Sequence, residues 1–254
     1  MENTFLVGLS RQMVLERNLE VVANNIANVN TTGYKADANL FTEYLGPVAR
    51  DDRFPRPDRR VSFVIDRATW RDDSQGLLEP TGNPLDLAIS GNAYFAVQTP
   101  RGERYTRNGG FQINAAGELI TTEGYRVLGE NGPIIFQQGD REVFFGPQGN
   151  VTVRNGLVVQ ETQRGRLRLV NFAQPALLTK DGGSLYAAPA GVAPQAATTA
   201  RIIQGSIEKS NVHAVQEISR MMDINRAYAS LANILQAQSD LHRTAIQRLA
   251  EVPT

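Results

Sequence analysis

The sequence predicts an α+β protein: N- and C-terminal helices packed as a coiled-coil-like layer, with a central all-β domain, antiparallel and rich in glycine turns, inserted between them. Two patterns predict this fold. Apolar residues recur at alternating three- and four-residue spacing near both ends of the chain, which is typical of paired helices. Between the ends, short runs of alternating polarity are separated by turns, and fourteen of the 22 glycines lie between Gly76 and Gly156.

The first helix is predicted from Met1 to about Val29, within an N-terminal assembly segment at residues 1–36. Its main apolar stripe has the spacing of a coiled-coil seam. The stripe consists of Phe5, Leu15, Leu19, Val22, Ile26 and Val29, with Gly8 and Gln12 in the two remaining positions. A second stripe on another face consists of Val7, Val14 and Val21, with Asn28 next in line. The helix is predicted to end near Gly33, a residue suited to a left-handed C-cap position.

Asparagines interrupt the apolar pattern of this helix at Asn24, Asn25, Asn28 and Asn30. Because asparagine is a mediocre helix former, amides in these positions need a physical reason. A buried amide must find hydrogen-bond partners, and misaligned packings lose them. We therefore interpret Asn24 and Asn25 as residues that fix the register of packing. For Asn28 and Asn30, a simple role in ending the helix is an equal alternative.

Residues 37–60 are predicted to form an extended connector, because the stretch GPVARDDRFPRPDRR holds three prolines and eight charges. Residues 61–205 are predicted to form the β domain, with turn pairs such as Asn108-Gly109 and Asn131-Gly132 between its strands. Trp70 is the only tryptophan. We expect it in the core of the β domain rather than at an interface, because it is the largest apolar side chain.

The C-terminal assembly segment is predicted at residues 206–254, with a helix from about Glu208 to Glu251. Its apolar stripe consists of Ile224, Tyr228, Leu231, Leu235 and Leu249. A helix of this length is ordinary in a coiled coil and long for a globular domain. Since both terminal helices need an apolar partner, we expect them to pack on each other.

The ionisable residues predict no catalytic, metal or cofactor site, and no enzyme. The chain has no cysteine, and His213 and His242 lie 29 residues apart, about 44 Å along a continuous helix. The acidic pairs Asp51-Asp52 and Asp72-Asp73 lie beside arginines and are interpreted as solvated rather than as acid/base pairs. Twenty-six basic residues balance 26 acidic ones, which argues against a nucleic-acid partner. No run reaches the roughly 18 apolar residues of a membrane span, so no membrane insertion is predicted.

Three motifs resemble the flagellar axial proteins, the rod and hook subunits of the bacterial flagellum. They are VVANNIANVNTTGYK near the N-terminus, the central stretch from GNPLDLAISGNAYF to EGYRVLGENG, and GSIEKSNVHAVQEISRMMDINRAY near the C-terminus. Within this family, MENTFLVGLSRQMVLERNLEVVANN and GRLRLVNFAQPALLTKDGGSLY resemble the proximal-rod subunits most. The chain departs from the family pattern at His213, Asn225 and Leu231.

The resemblance implies a structural subunit of the basal-body rod that polymerises through its terminal helices and transmits torque in flagellum-dependent motility. It implies, as partners, copies of the chain, other proximal and distal rod proteins, and the flagellar type III export apparatus. The expected location is the periplasm-spanning rod of the basal body, reached without a cleavable signal peptide. The predicted assembly interface consists of Leu15, Leu19, Val21, Val22, Asn25, Ile26, Asn28, Val29, Asn211, Val212, Ile224, Arg226, Tyr228, Leu231 and Leu235.

Two alternatives stay open from the sequence. The chain could be a distal-rod or hook-type axial subunit, or a periplasmic coiled-coil/β adaptor whose helices serve one private partner. A private dimer needs a single apolar stripe, whereas a tube of packed subunits needs several. The second stripe on the first helix therefore favours an axial subunit.

Overall fold

The computed structural model describes residues 2–45, 62–155 and 158–250, which form two compact units. Among these residues, the helical unit comprises 2–27, 37–45, 62–71 and 213–250. The β unit comprises 28–36, 72–155 and 158–212. The structure confirms an α+β protein with one N-terminal helix, one C-terminal helix and a central β-rich region.

The two long helices are α1, Glu2–Ala27, and α2, Ala214–Ala250. Helix α2 has 37 residues, which at 1.5 Å per residue gives a length of about 56 Å. It begins later than the sequence predicts, because Glu208 lies in a β-strand. The first helical bond of α2 runs from the amide of Glu217 to the carbonyl of His213.

Helix α1 packs antiparallel on α2 within the helical unit. Near the start of α1, Gly8 lies against Leu235, and near its end Asn25 meets Glu217. As residue numbers rise along α1 they therefore fall along α2. A Cβ atom on Gly8 would lie 2.6 Å from Leu235 Cδ2, so the leucine side chain packs directly on the α1 backbone.

Two antiparallel strands complete the described part of the helical unit: β1, Asp37–Leu45, and β2, Ser62–Arg71. The connector predicted at residues 37–60 therefore begins with a paired strand, and its residues 46–60 lie outside the described residues. Strand β1 was not predicted, although DANLFTEYL carries β-favouring residues, because the charged, proline-containing stretch that follows it dominates the local composition. The prediction that Trp70 is buried in a β core is wrong, because its side chain on β2 is 51% exposed.

The β unit contains seventeen strands among its described residues. They are β3 Leu78–Pro80, β4 Leu87–Ser90, β5 Tyr94–Thr99, β6 Gly102–Thr106, β7 Phe111–Ile113, β8 Leu119–Thr121, β9 Arg126–Gly129, β10 Gly132–Pro133, β11 Asp140–Phe145, β12 Asn150–Asn155, β13 Val158–Arg166, β14 Leu169–Asn171, β15 Thr179–Lys180, β16 Leu185–Ala187, β17 Gln195–Ala196, β18 Arg201–Gln204 and β19 Ser206–Glu208. One short 3-10 helix spans Pro175–Leu177.

Every strand pairing in the β unit is antiparallel. The main sheet has the order β15-β16-β6-β5-β9-β8-β7, with β10 on β9, β14 on β5 and β17 on β14. A three-stranded sheet has the order β11-β12-β13, and two further pairs are β18-β4 and β19-β3. The last strand of the β unit, β19, pairs with its first strand, β3, and α2 follows β19 in the chain.

Strand β5 is the centre of the β unit because both of its faces are buried. Phe95 and Val97 point into the larger apolar core, which also contains Phe111. Tyr94 and Ala96 point into a second core on the opposite face, as the two-residue period of a strand requires. Edge-to-face aromatic contacts organise this second core: Tyr94–Phe172, Tyr94–Tyr186 and Tyr105–Phe172.

Gly33 occupies a position that only glycine fits. Its φ is +68°, as the sequence predicts, but it lies six residues beyond the last residue of α1 rather than in the C-cap. A Cβ atom there would lie 2.4 Å from the backbone nitrogen of Asn108. Gly33 therefore permits close approach between residues 28–36 and the end of β6, in addition to the turn itself.

We predict that Gly33→Ala destabilises the β unit more than Gly82→Ala. Both glycines have similar positive φ angles, +68° and +75°, but a Cβ on Gly82 meets nothing within 4 Å. The left-handed conformation alone costs alanine about 1–2 kcal/mol, so Gly82→Ala measures that cost. Gly33→Ala adds a backbone collision. Urea unfolding followed by far-ultraviolet circular dichroism gives both values, and equal losses would contradict the close packing at Gly33.

Candidate assembly interface on the helical unit

The predicted interface residues divide between the two units. Eleven of the fifteen lie in the helical unit, whereas Asn28, Val29, Asn211 and Val212 lie in the β unit. Asn211 and Val212 precede the first residue of α2 and are not helical. Within the β unit Val212 is buried and Asn211 is half-buried. The helical pattern of the sequence did not reveal this division, because it treated residues from 206 onward as one segment.

The described part of α2 is least exposed along one stripe, which includes the predicted face as far as Leu235, whereas the side chain of Leu249 lies outside the described residues. Its members recur at alternating three- and four-residue spacing. They are Ala214, Glu217, Met221, Ile224, Tyr228, Leu231, Leu235 and Gln238. Arg226 lies away from this stripe and is exposed. Its Nη1 atom is 3.9 Å from Asp223 Oδ1. An exposed ion pair of this kind contributes little to stability.

The described part of α1 contributes a matching stripe. Val22 is buried, and Leu15, Leu19 and Ile26 are half-buried. The second stripe predicted on α1, Val7, Val14 and Val21, is also half-buried rather than fully exposed. The apolar contacts predicted on more than one side of α1 therefore exist partly within the subunit, since β1 and β2 also pack on this helix.

Asn25 connects three elements of the helical unit. Its side chain is only 2% exposed. Asn25 Nδ2 donates to the carbonyl of Asp37 at 2.8 Å, and the amide of Asp37 donates to Asn25 Oδ1 at 3.0 Å. The same Nδ2 lies 3.4 Å from Glu217 Oε2 on α2. Asn25 therefore fixes α1 against β1 and α2, because a buried amide without these partners would be costly.

Tyr228 makes a second polar contact between the helices. Its hydroxyl accepts a hydrogen bond from Gln12 Nε2 at 2.8 Å and donates one to Glu16 Oε1 at 3.2 Å. The aromatic ring lies on the apolar stripe of α2, while the hydroxyl reaches polar side chains of α1. Gln12, which interrupts the apolar seam of α1, thus has a partner that the sequence did not identify.

Both helices keep large apolar side chains in solvent after they have packed on each other. Among the side chains of α1 that the structure describes, from residue 7 onward, these are Leu9 and Met13, the latter 62% exposed. On α2 they are Val215, Ile218, Met222, Ile234, Leu241 and Ile246, with Val215 79% exposed. Sequence reasoning missed Leu9 and Met13, because a pair at i and i+4 makes no long stripe. Val215, Ile218 and Met222 recur at three- and four-residue spacing, so they share one side of α2, and an apolar patch of this kind is typical of an interaction surface.

The part of the chain that the structure describes shows no group of three or more histidine, cysteine, aspartate or glutamate residues that could hold a metal ion. Among those same residues, neither helix is long and apolar enough to cross a membrane.

Three segments of the chain match family models of one class, the flagellar axial proteins. Residues 5–35 match "Flagella basal body rod protein", residues 88–153 match "Flagellar hook protein FlgE/F/G D1 domain", and residues 203–248 match "Flagellar basal body rod FlgEFG protein C-terminal". The first segment covers most of α1, the second lies in the β unit, and the third reaches from β18 into α2.

The chain is also similar to individual rod proteins over nearly its full length. It is 41% identical to the flagellar basal-body rod protein FlgF of Caulobacter vibrioides, covering 99% of this chain and 100% of the relative. It is 33% identical to FlgF of Mesorhizobium japonicum, covering 98% of both chains. It is 33% identical to the rod protein FlgG of Agrobacterium fabrum, covering 89% of this chain and 91% of the relative. The chain belongs to the flagellar basal-body rod protein family, which confirms the resemblance found in the sequence.

We predict that Asn25→Ala lowers the free energy of unfolding of the helical unit by about 1–3 kcal/mol, because it removes the hydrogen bonds of a buried amide to the backbone of Asp37 and to Glu217. The sole tryptophan, Trp70, lies on β2 of this unit, so its fluorescence during urea unfolding reports on the helical unit. Asn225→Ala on α2 is the matched control. Asn225 is exposed, and its loss should change stability by less than about 0.5 kcal/mol. Equal effects would contradict the role assigned to Asn25.

Proposed function

We propose that this chain is a structural subunit of the flagellar basal-body rod, of the proximal type, that polymerises through α1 and α2 and transmits torque in flagellum-dependent motility. In this proposal the two helices form a coiled-coil-like layer inside the rod. The protein performs no chemical step and needs no cofactor. Its relatives named FlgF and FlgG support the class of structure, and the greater identity to the FlgF of Caulobacter vibrioides supports the proximal type.

The observation that carries the proposal is the apolar surface that remains on both helices after they have paired. Burying a large apolar side chain contributes about 1.5–3 kcal/mol, and the exposed set includes Met13, Val215 and Leu241. An exposed ion pair such as Arg226–Asp223 contributes at most about 1 kcal/mol. Apolar burial against neighbouring subunits is therefore the main driving force that the helical unit offers.

The same surface argues against a private coiled coil with one partner. A single partner covers one stripe of a helix. Within the described residues, α1 and α2 already cover one stripe of each other and still expose apolar side chains elsewhere. Several neighbours around each helix, as in a tube of subunits, would cover the remaining residues.

We propose a narrower division of the assembly segments than the sequence predicted. The predicted segments were 1–36 and 206–254, the connector 37–60 and the β domain 61–205. Residues 28–36 and 206–212 fold within the β unit, so assembly is assigned to α1 and α2 themselves. Of the predicted interface residues, Val22, Asn25 and Val212 are buried within the subunit, so the remaining residues, which keep some or all of the side chain exposed, are the candidates for contacts between subunits.

The proposed partners are copies of this chain and other proximal and distal rod proteins. The proposed location is the flagellar basal body. Delivery by the flagellar type III export apparatus follows as part of the same proposal, because a rod subunit has to reach the growing end of a structure outside the cytoplasm. Apolar helix surfaces that lack a partner in the free subunit would then be covered on incorporation.

We predict that Met13→Asp abolishes motility and rod assembly without changing the fold of the purified subunit. Met13 is 62% exposed, so a charge there is tolerated in the free chain but is buried without a partner in an assembled helix layer. Met13→Leu, which conserves apolar area, should swim normally. Soft-agar motility, electron microscopy of isolated basal bodies and circular dichroism of the purified variants make the comparison. Normal swimming of the aspartate variant would contradict the packed-helix proposal.

A further inference from the structure

The chain passes between the helical unit and the β unit four times, after Ala27, Ala36, Arg71 and Val212. The β-unit residues beside the last three of these crossings are hydrogen-bonded to one another. The amide of Ala36 donates to Asn211 Oδ1 at 2.8 Å, and the amide of Asp72 donates to the carbonyl of Ala36 at 2.8 Å. Asn211 Nδ2 donates to the carbonyl of Asp72 at 2.9 Å. One asparagine side chain thus joins three chain segments that are remote in sequence.

The buried carboxylate of Glu208, three residues before Asn211, also contacts several of these segments within the β unit. Glu208 is fully buried. Its Oε1 accepts from Lys35 Nζ at 2.5 Å and from the amide of Gly76 at 3.0 Å, and its Oε2 accepts from Arg107 Nη1 at 3.3 Å. Lys35 Nζ also donates to the carbonyl of Ser74 at 2.6 Å. Glu208 therefore links residues 28–36, residues 72–76 and the end of β6.

The charges around Glu208 depend on one another. Burial lowers the pKa of Lys35, whereas the adjacent Glu208 carboxylate raises it, Arg107 lowers it and Asp73 raises it. Arg107 also lies over the ring of Tyr94 at 5.0 Å, and the hydroxyl of Tyr94 is 3.5 Å from Asp73. A buried ion pair is tolerated only while each charge has its partner. Removal of the Glu208 charge leaves two buried cations with less compensation.

Residues 32–36 have no helix or strand pairing of their own. Side chains and backbone of the β unit hold them instead. Ser184 Oγ donates to the carbonyl of Thr32, the amide of Gly33 donates to the carbonyl of Glu208, and Lys180 Nζ donates to the carbonyl of Lys35. Lys180 also lies 4.1 Å from the ring centroid of Tyr34. The order of this segment thus depends on contacts with residues 180–211.

We propose that Glu208 and Asn211 form a clasp that orders residues 32–36 and 72–76 on the β unit and that opens locally without unfolding the apolar cores. The clasp joins two stretches that the sequence singles out, NTTGYK and GSIEKSNV, and gives them a role inside one subunit rather than between subunits. On the proposed rod function, force carried along the chain between the units passes through these segments. The closed clasp would make the crossings after Ala36, Arg71 and Val212 share that force.

Amide hydrogen exchange on the purified full-length chain tests the clasp. For Glu208→Gln and Asn211→Ala we expect peptides covering 30–36 and 72–77 to exchange about tenfold faster or more, because lost buried hydrogen bonds favour local opening by about that factor. Peptides from β5 and β9 should keep their protection. Glu130→Gln is the matched control, because its partner Arg166 lies 3.3 Å away in an exposed ion pair, and it should change neither region.

Unchanged protection in both clasp variants would overturn the proposal. Loss of protection that is equal in the clasp segments and in β5 would also overturn it, because Glu208 would then be an ordinary core residue. If Glu208→Gln does not fold, Asn211→Ala decides alone, since this half-buried residue loses hydrogen bonds and no charge.

A second experiment separates the clasp from the proposed rod function. In a strain that lacks the native gene, Asn211→Ala subunits should be present in isolated basal bodies, but the cells should swim more slowly than the wild type. Wild-type speed with normal incorporation would remove the mechanical role of the clasp. Absence of the wild-type chain itself from basal bodies would refute the rod function and leave the exchange result standing.

Discussion

The fold depends on one constraint: two helices from opposite ends of the chain must meet in a single register. Local sequence does not provide this pairing, because an isolated helix is marginal without a packed face. Gly8 under Leu235 permits a close approach, and Asn25 supplies the polar match to Glu217 and to the backbone of Asp37. Pairing covers one stripe on each helix and leaves other apolar side chains in water. In the proposed rod, neighbouring subunits would cover these side chains, so assembly would need no special binding site.

The β unit has the opposite character, since it satisfies its own cores. Strand β5 is buried on both faces, and the final strand β19 closes on the first strand β3. The segment after α1 is also integrated into this unit through Lys35 and Glu208. The β unit therefore buries its cores without a neighbour, whereas the helical unit would gain apolar burial from neighbours in the proposed rod.

Periodic patterns made the helices and the β region predictable. The 3.6-residue period determines which side chains share a face, so Ile224, Tyr228, Leu231 and Leu235 were placed together correctly. Strand β1 was missed because the neighbouring charges and prolines dominate the local composition. The Lys35–Glu208 pair could not be predicted from the sequence, because it joins residues 173 positions apart and no local pattern encodes such a contact. Trp70 was misplaced because size alone does not determine burial.

The most direct measurement is a density map, at side-chain resolution, of the intact basal body from cells that produce this chain. The account predicts the chain in the rod, with Met13, Val215 and Met222 covered by apolar side chains of neighbouring subunits. A map in which the chain occupies the rod while these three residues face solvent would contradict helix-driven assembly. A rod built without this chain would contradict the proposed function itself.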